Sequence, residues 1–124
     1  MAPFRSITDF QQLGVNAYEM RQWVLRAIHK AQSGHPGGSL GMADIFSVLF
    51  FNALRHDPKN PKWENRDRLV LSNGHICPIL YCAMSFTGYF PKEELMTLRK
   101  FGSRLQGHPN RLALPGLEPS SGPL

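Results

Sequence analysis

Only one short segment of this chain reads as a β-strand, and a single strand has no independent existence. Leu69-Val70-Leu71 is an apolar run between the charged stretch ending at Arg68 and the turn Ser72-Asn73-Gly74-His75. A buried strand leaves its backbone N–H and C=O groups unpaired unless neighbouring strands supply a ladder. No internal repeat supplies further strands. The expectation is therefore an α/β body represented here by a helix-rich piece, with most of its sheet missing from these 124 residues.

The helices are written in spacing. From Thr8 or Asp9 to Ala31, the residues Leu13, Ala17, Met20, Val24, Ala27 and Ala31 recur every three or four positions and trace one face. Arg26 and Lys30 suit the negative end of that helix, and Gly34 followed by Pro36 ends it. A second helix is expected from a Ser39 N-cap to about Leu54. Its apolar residues Met42, Ala43, Ile45, Phe46, Val48, Leu49, Phe50 and Phe51 surround the axis, which predicts burial on every side. A third helix takes Ile76, Ile79, Leu80 and Ala83 as its face, with Pro78 tolerated in the first turn. A short fourth starts near Pro91, with Glu93 and Glu94 at its start, Leu95 and Leu98 on its face, and Arg99 and Lys100 at its end. Residues 102–124, with four Gly and four Pro, read as an irregular segment.

Composition narrows the function classes. Hydrophobic residues make up 42% and charged residues 19%, the balance of an ordinary globular chain. Fourteen Lys and Arg against nine Asp and Glu leave a net +5, which welcomes anions. The densest basic group, Arg99, Lys100, Arg104 and Arg111, is too dispersed for a nucleic-acid arm, so no nucleic acid is expected as partner. Cys77 and Cys82 would point about 140° apart on a helix, so they are read as small buried thiols in a reducing compartment. No leader-like apolar run occupies residues 1–14, and nothing approaches the length of a membrane span. A soluble cytoplasmic setting, with no membrane partner, is the expectation.

Three histidines lie beside glycine at a loop or element boundary: His35 in Gly-His-Pro-Gly-Gly, His75 in Asn-Gly-His and His108 in Gly-His-Pro-Asn. Such positions let backbone approach a ligand closely. Two readings stand for each, an ordinary hydrogen-bonded turn residue and a wall of a polar, phosphate-tolerant pocket. The spacing does not suit a zinc site, and no metal ligands are assigned. His29, on a helix, and His56, in the charged loop, are read as surface residues. The glycine-rich run at 34–41 opens a helix, which makes it either a phosphate cradle or a plain helix-entry turn. It lacks the Lys-Ser/Thr ending of a nucleotide loop.

In order along the chain stand Ser33-Gly34-His35-Pro36-Gly37-Gly38-Ser39-Leu40-Gly41, Arg66-Asp67-Arg68-Leu69-Val70-Leu71-Ser72-Asn73-Gly74-His75, Gly107-His108-Pro109-Asn110 and Ser121-Gly122-Pro123-Leu124. Order and spacing together resemble the N-terminal part of transketolases, particularly the N-terminal subunit of those whose two halves are separate chains. The resemblance covers almost the whole chain. It implies that residues 1–124 are a partial thiamine diphosphate-binding domain of a three-layer parallel-sheet α/β fold, on the side that holds the diphosphate.

The function implied is transfer of a two-carbon ketol unit between ketose and aldose phosphates, as in the pentose phosphate pathway. By motif, His35 would line the substrate channel, His75 would lie by the diphosphate and substrate, and His108 would hydrogen-bond the transferred group. Gly122 and Leu124 would touch the cofactor. Imidazoles suit this work because they relay protons and stabilise developing alkoxide charge, while the cofactor supplies the carbanion chemistry. The resemblance also implies Mg2+ or Ca2+, held by a Gly-Asp-Gly motif and an Asn that this sequence lacks. The expected partners are sugar phosphates and the remainder of the enzyme or a C-terminal subunit, in a homo- or hetero-oligomer, without which the chain is expected to be inactive. The alternatives are a non-catalytic partner-binding remnant and, within the superfamily, a formaldehyde transketolase or a deoxyxylulose-phosphate synthase.

Overall fold

The computed structural model describes residues 6–122. Its first helix, α1, spans Phe10–Ala31. Asp9 caps it, its carboxylate accepting the Gln11 N–H at 2.9 Å. The expected face is the buried one: Leu13, Ala17, Met20, Val24 and Ala27, joined by Asn16. The Asn16 amide oxygen accepts from Gln12 at 2.9 Å, which satisfies part of a polar group that burial would otherwise penalise. The helix ends earlier than glycine would end it, at Gln32 in the left-handed region with φ 55°.

Helix α2 spans Pro36–Val48 and runs on into a π-helical turn, Leu49–Ala53. Ser39 is not its N-cap. The helix begins four residues earlier because Pro36 has its φ already set and its missing N–H is one the first turn leaves unpaired anyway, so His35 takes the cap position. Ser39 is instead wholly buried inside the helix, donating to the Ile76 carbonyl at 3.2 Å and accepting the Ile79 N–H at 3.3 Å. Against α1, Ser47 donates to the Leu13 carbonyl at 2.7 Å, and Arg21 spans to Asp44 at 2.6 Å. The expectation of burial on every side fails for α2: Ile45 and Val48 are 50% and 44% exposed.

The helix enclosed on nearly every side is α3, Cys77–Thr87, where only Phe86 escapes full burial. A 3-10 turn, Gly74–Ile76, leads into it, and Gly88 at φ 105° closes it by donating to the Met84 and Ser85 carbonyls. Helices α1 and α2 pack on each other and on α3, so the core gathers Met20, Phe46, Ile79, Tyr81 and Met84 around the third helix.

Leu69-Val70-Leu71 is extended but unladdered, and no strand occurs among the described residues. Leu71 is buried while Val70 is 68% exposed, the alternation of a strand lacking a second covering layer. The fourth expected helix is a 3-10 segment, Lys92–Thr97, so Arg99 and Lys100 lie beyond its end instead of in its last turn. Past it, residues 102–122 are irregular, as composition suggested. They are fastened by Arg66, whose guanidinium forks onto both oxygens of Glu118 at 3.1 Å each. No helix is long and apolar enough to cross a membrane.

Candidate active site

Three loops converge where α2 and α3 begin. His35 sits at the head of α2 and His75 in the 3-10 turn before α3, and their rings meet edge to face at 5.4 Å between centroids. His108 arrives from the irregular segment with its ring 6.5 Å from that of His35. Residues separated by up to 73 positions in sequence thus share one small patch. His35 and His75 are exposed and His108 is half-buried, so their faces are open to a ligand.

Glycines permit this convergence. A Cβ on Gly74 would lie 2.5 Å from the Ser121 carbonyl oxygen, so the backbone of residues 121–122 rests directly on the turn that carries His75. Gly122 has φ 116°, and a Cβ there would drive into the His108 ring. At Gly38 a Cβ would collide with Ile76, which keeps the start of α2 close to the His75 turn. Ser121 Oγ is buried without a hydrogen-bond partner among the described residues, an orphaned polar atom at the point where these segments meet.

Helix α3 holds the backbone just before His108. The Tyr81 hydroxyl donates to the Gln106 carbonyl at 2.7 Å, and Cys77 Sγ donates to the Gly107 carbonyl at 3.2 Å and the Gln106 carbonyl at 3.5 Å. Burial pushes the Cys77 thiol up to about 12 and Tyr81 well above the usual phenol range, so both remain protonated donors. Both cysteines are free and buried, as expected, but Cys77 does more than fill space. Nothing in the one-dimensional pattern marks Tyr81 or Cys77, because their partners are carbonyls 25 and 30 positions away.

His56 corrects the sequence reading. It is 4% exposed, not a surface residue. The π-helical turn leaves the Phe50 carbonyl available, and His56 Nε2 lies 2.8 Å from it while Nδ1 lies 3.0 Å from the Tyr89 hydroxyl. Its ring stacks on Tyr89 and meets Phe50 edge-on. His29 is exposed on α1, as expected. Gly122 is among the described residues and touches His108, whereas Leu124 lies outside them. Among the described residues no group of three or more His, Cys, Asp or Glu side chains is arranged to hold a metal ion.

Residues 12–124 match the family model described as transketolase, thiamine diphosphate binding domain. The transketolase of Buchnera aphidicola is 47% identical over 109 residues, covering 87% of this chain and 16% of that protein. The crystal structure of transketolase from Campylobacter jejuni superposes with a TM-score of 0.85 at 43% identity, covering 94% of this chain and 18% of that one. A Pichia stipitis transketolase in complex with sedoheptulose 7-phosphate superposes at 0.84 with 42% identity, covering 88% of this chain and 16% of that one. This chain therefore spans about a sixth of the length of the relatives it matches. The helix-rich arrangement is transketolase-like, and the chain belongs to the transketolase family through its thiamine diphosphate-binding domain.

Proposed function

We propose that the histidine patch is the diphosphate-side wall of a transketolase active site, serving two-carbon ketol transfer between ketose and aldose phosphates. The observation that carries this reading is the convergence of His35, His75 and His108, with Gly122 packed on His108. The residues fit thiamine diphosphate: a buried, unpartnered Ser121 hydroxyl and close-packed glycine backbone at 74 and 122 offer polar contact without side-chain obstruction. By motif, His75 would lie by the cofactor's diphosphate, and Gly122 and Leu124 would belong to the loop that touches the cofactor. When bound, the cofactor supplies the electron sink for breaking and making the carbon–carbon bond.

This chain's own residues do the rest. His35 and His108 hydrogen-bond the oxygens of the transferred ketol unit and pass protons to and from them, which stabilises negative charge as it develops there. The hydrogen bonds from Tyr81 and Cys77 hold the loop before His108 still, so the imidazole needs little reorganisation. The divalent ion, Mg2+ or Ca2+, takes its ligands from a partner or remaining part of the enzyme, in a homo- or hetero-oligomer.

The test is co-expression of this chain with a transketolase lacking the equivalent residues, assayed with xylulose 5-phosphate and ribose 5-phosphate. Ketol transfer should appear in the pair, and His108→Ala should lower it by about a hundredfold or more, the usual scale of a lost proton-transfer group. No transfer by the pair, or full transfer with His108→Ala, would refute the assignment.

A further inference from the structure

We infer that Arg66 is a positioning residue for the histidine patch: through Glu118 it fixes the register of the run that carries Ser121 and Gly122 against the run that carries His75. The inference rests on the reading of that patch as a transketolase site, and it gives a part to a residue that lies outside the patch. Two runs of chain lie side by side here, 66–75 and 117–122. They meet at one end in the Arg66–Glu118 ion pair and at the other where Gly74 packs under the Ser121 carbonyl. Between these points Leu69 and Leu71 share a narrow crevice with Leu117 and Pro119.

Register is what such a pair must supply. Among the described residues no backbone hydrogen bond joins the two runs, so no ladder keeps them in step. A slip of one residue moves an extended chain by about 3.3 Å, which would carry Ser121 off Gly74 and Gly122 off the His108 ring. The ion pair opposes that slip because it is forked: Arg66 Nε and Nη2 donate to different Glu118 oxygens at 3.1 Å each, an arrangement with one geometry. Nη1 donates to the Trp63 carbonyl at 2.8 Å and holds the guanidinium from its other side. The two side chains are 15% and 18% exposed, whereas each of the other three ion pairs among the described residues leaves one partner well open to water, where the attraction is weak. Arg66 also stands on fixed ground. Beside it, the Asp67 carboxylate accepts the Arg55 N–H at 2.7 Å, and the Asp67 N–H donates to the Arg55 carbonyl at 2.7 Å. At the other end, the Ser121 N–H donates to the Pro109 carbonyl at 3.3 Å and Ser120 Oγ accepts the Arg111 N–H at 3.0 Å. Displacement of the second run is therefore passed to the residues that follow His108.

The test separates position from stability. Arg66→Met removes both prongs of the fork; Glu118→Gln keeps the shape of its side chain and one acceptor oxygen, and decides the question if Arg66→Met does not fold. Each isotope-labelled variant is compared with the parent chain by NMR, well below its melting temperature. The expected result is movement of the His108 ring signals and of the Gly74 and Gly122 amide signals by more than a line width. Signals that stay at their parent positions in Glu118→Gln, whether or not that variant melts earlier, would show that the pair only adds stability and would overturn the proposal. Co-expressed with the rest of a transketolase, the Glu118→Gln chain should also show kcat for ketol transfer lowered about tenfold, because misplacing reacting groups by a fraction of an ångström is costly. A kcat equal to the parent's would equally overturn it. Absence of transfer with the parent chain would refute the catalytic reading alone, and the NMR comparison would still decide the register.

Discussion

Replacing Tyr81 by Phe isolates one hydrogen bond that joins the core to the site. The ring is fully buried in α3, and Phe retains its volume, so the packing around it is preserved. What is lost is the hydroxyl that donates to the Gln106 carbonyl at 2.7 Å. Among the described residues that carbonyl then keeps only the Cys77 thiol at 3.5 Å, a weak donor at the limit of contact. A hydrogen bond of this kind contributes about 1 kcal/mol net, and the part-buried Gln106 carbonyl can turn to water when the hydroxyl is gone, so the cost is about 1 kcal/mol. For a domain of this size such a loss lowers the melting temperature by about 4 °C. The assay is thermal unfolding of the parent chain and Tyr81→Phe side by side by far-ultraviolet circular dichroism. Because burial keeps this phenol protonated, the difference should be the same at pH 7 and pH 8.5. A variant melting within about 1 °C of the parent would show that the loop before His108 is held by something other than α3.

Two further outcomes follow from the same structure. Burial is the main cause that pulls the His56 pKa below its ordinary value, so the folded state favours the neutral ring. The stability from that preference is complete above the unfolded histidine value near 6.5 and is lost as pH falls from there through the depressed folded value. Urea midpoints should therefore drop between pH 7.5 and 5 more steeply for the parent chain than for His56→Gln; parallel curves would contradict the burial argument. Gly122→Ala places a methyl group at φ 116° and against the His108 ring, which should cost about 2 kcal/mol or more and shift the His108 ring signals in NMR spectra. Unchanged His108 signals in that variant would refute the close packing of the two residues.

What could be read from sequence was whatever depends on neighbours a few positions apart. The α1 face, its Asp9 cap and the irregular stretch after residue 101 all follow from local spacing, capping and turn chemistry. Glycine beside histidine likewise marked three positions that the fold brings together. The errors arose where local signals compete or partners are distant. Both Pro36 and Ser39 are good helix starters, and only the packing of Ser39 against Ile76 and Ile79 shows that proline prevailed. For α2, apolar residues on every side promised full burial, yet Ile45 and Val48 remain half-exposed because α1 and α3 cover only part of its surface.

By itself, then, the sequence determined where α1 starts and stops, which of its faces turns inward and which histidines have glycine at their side. Those properties are set by backbone torsions and side-chain periodicity, which act over a turn or two of chain. Tertiary structure alone decided that His56 is buried between Phe50 and Tyr89, that α3 and not α2 is the enclosed helix, and that Tyr81 and Cys77 brace the loop of His108. Each of these depends on contacts between residues made neighbours only by packing, and burial turns such contacts into strong preferences because an unpaired polar group inside the core is costly.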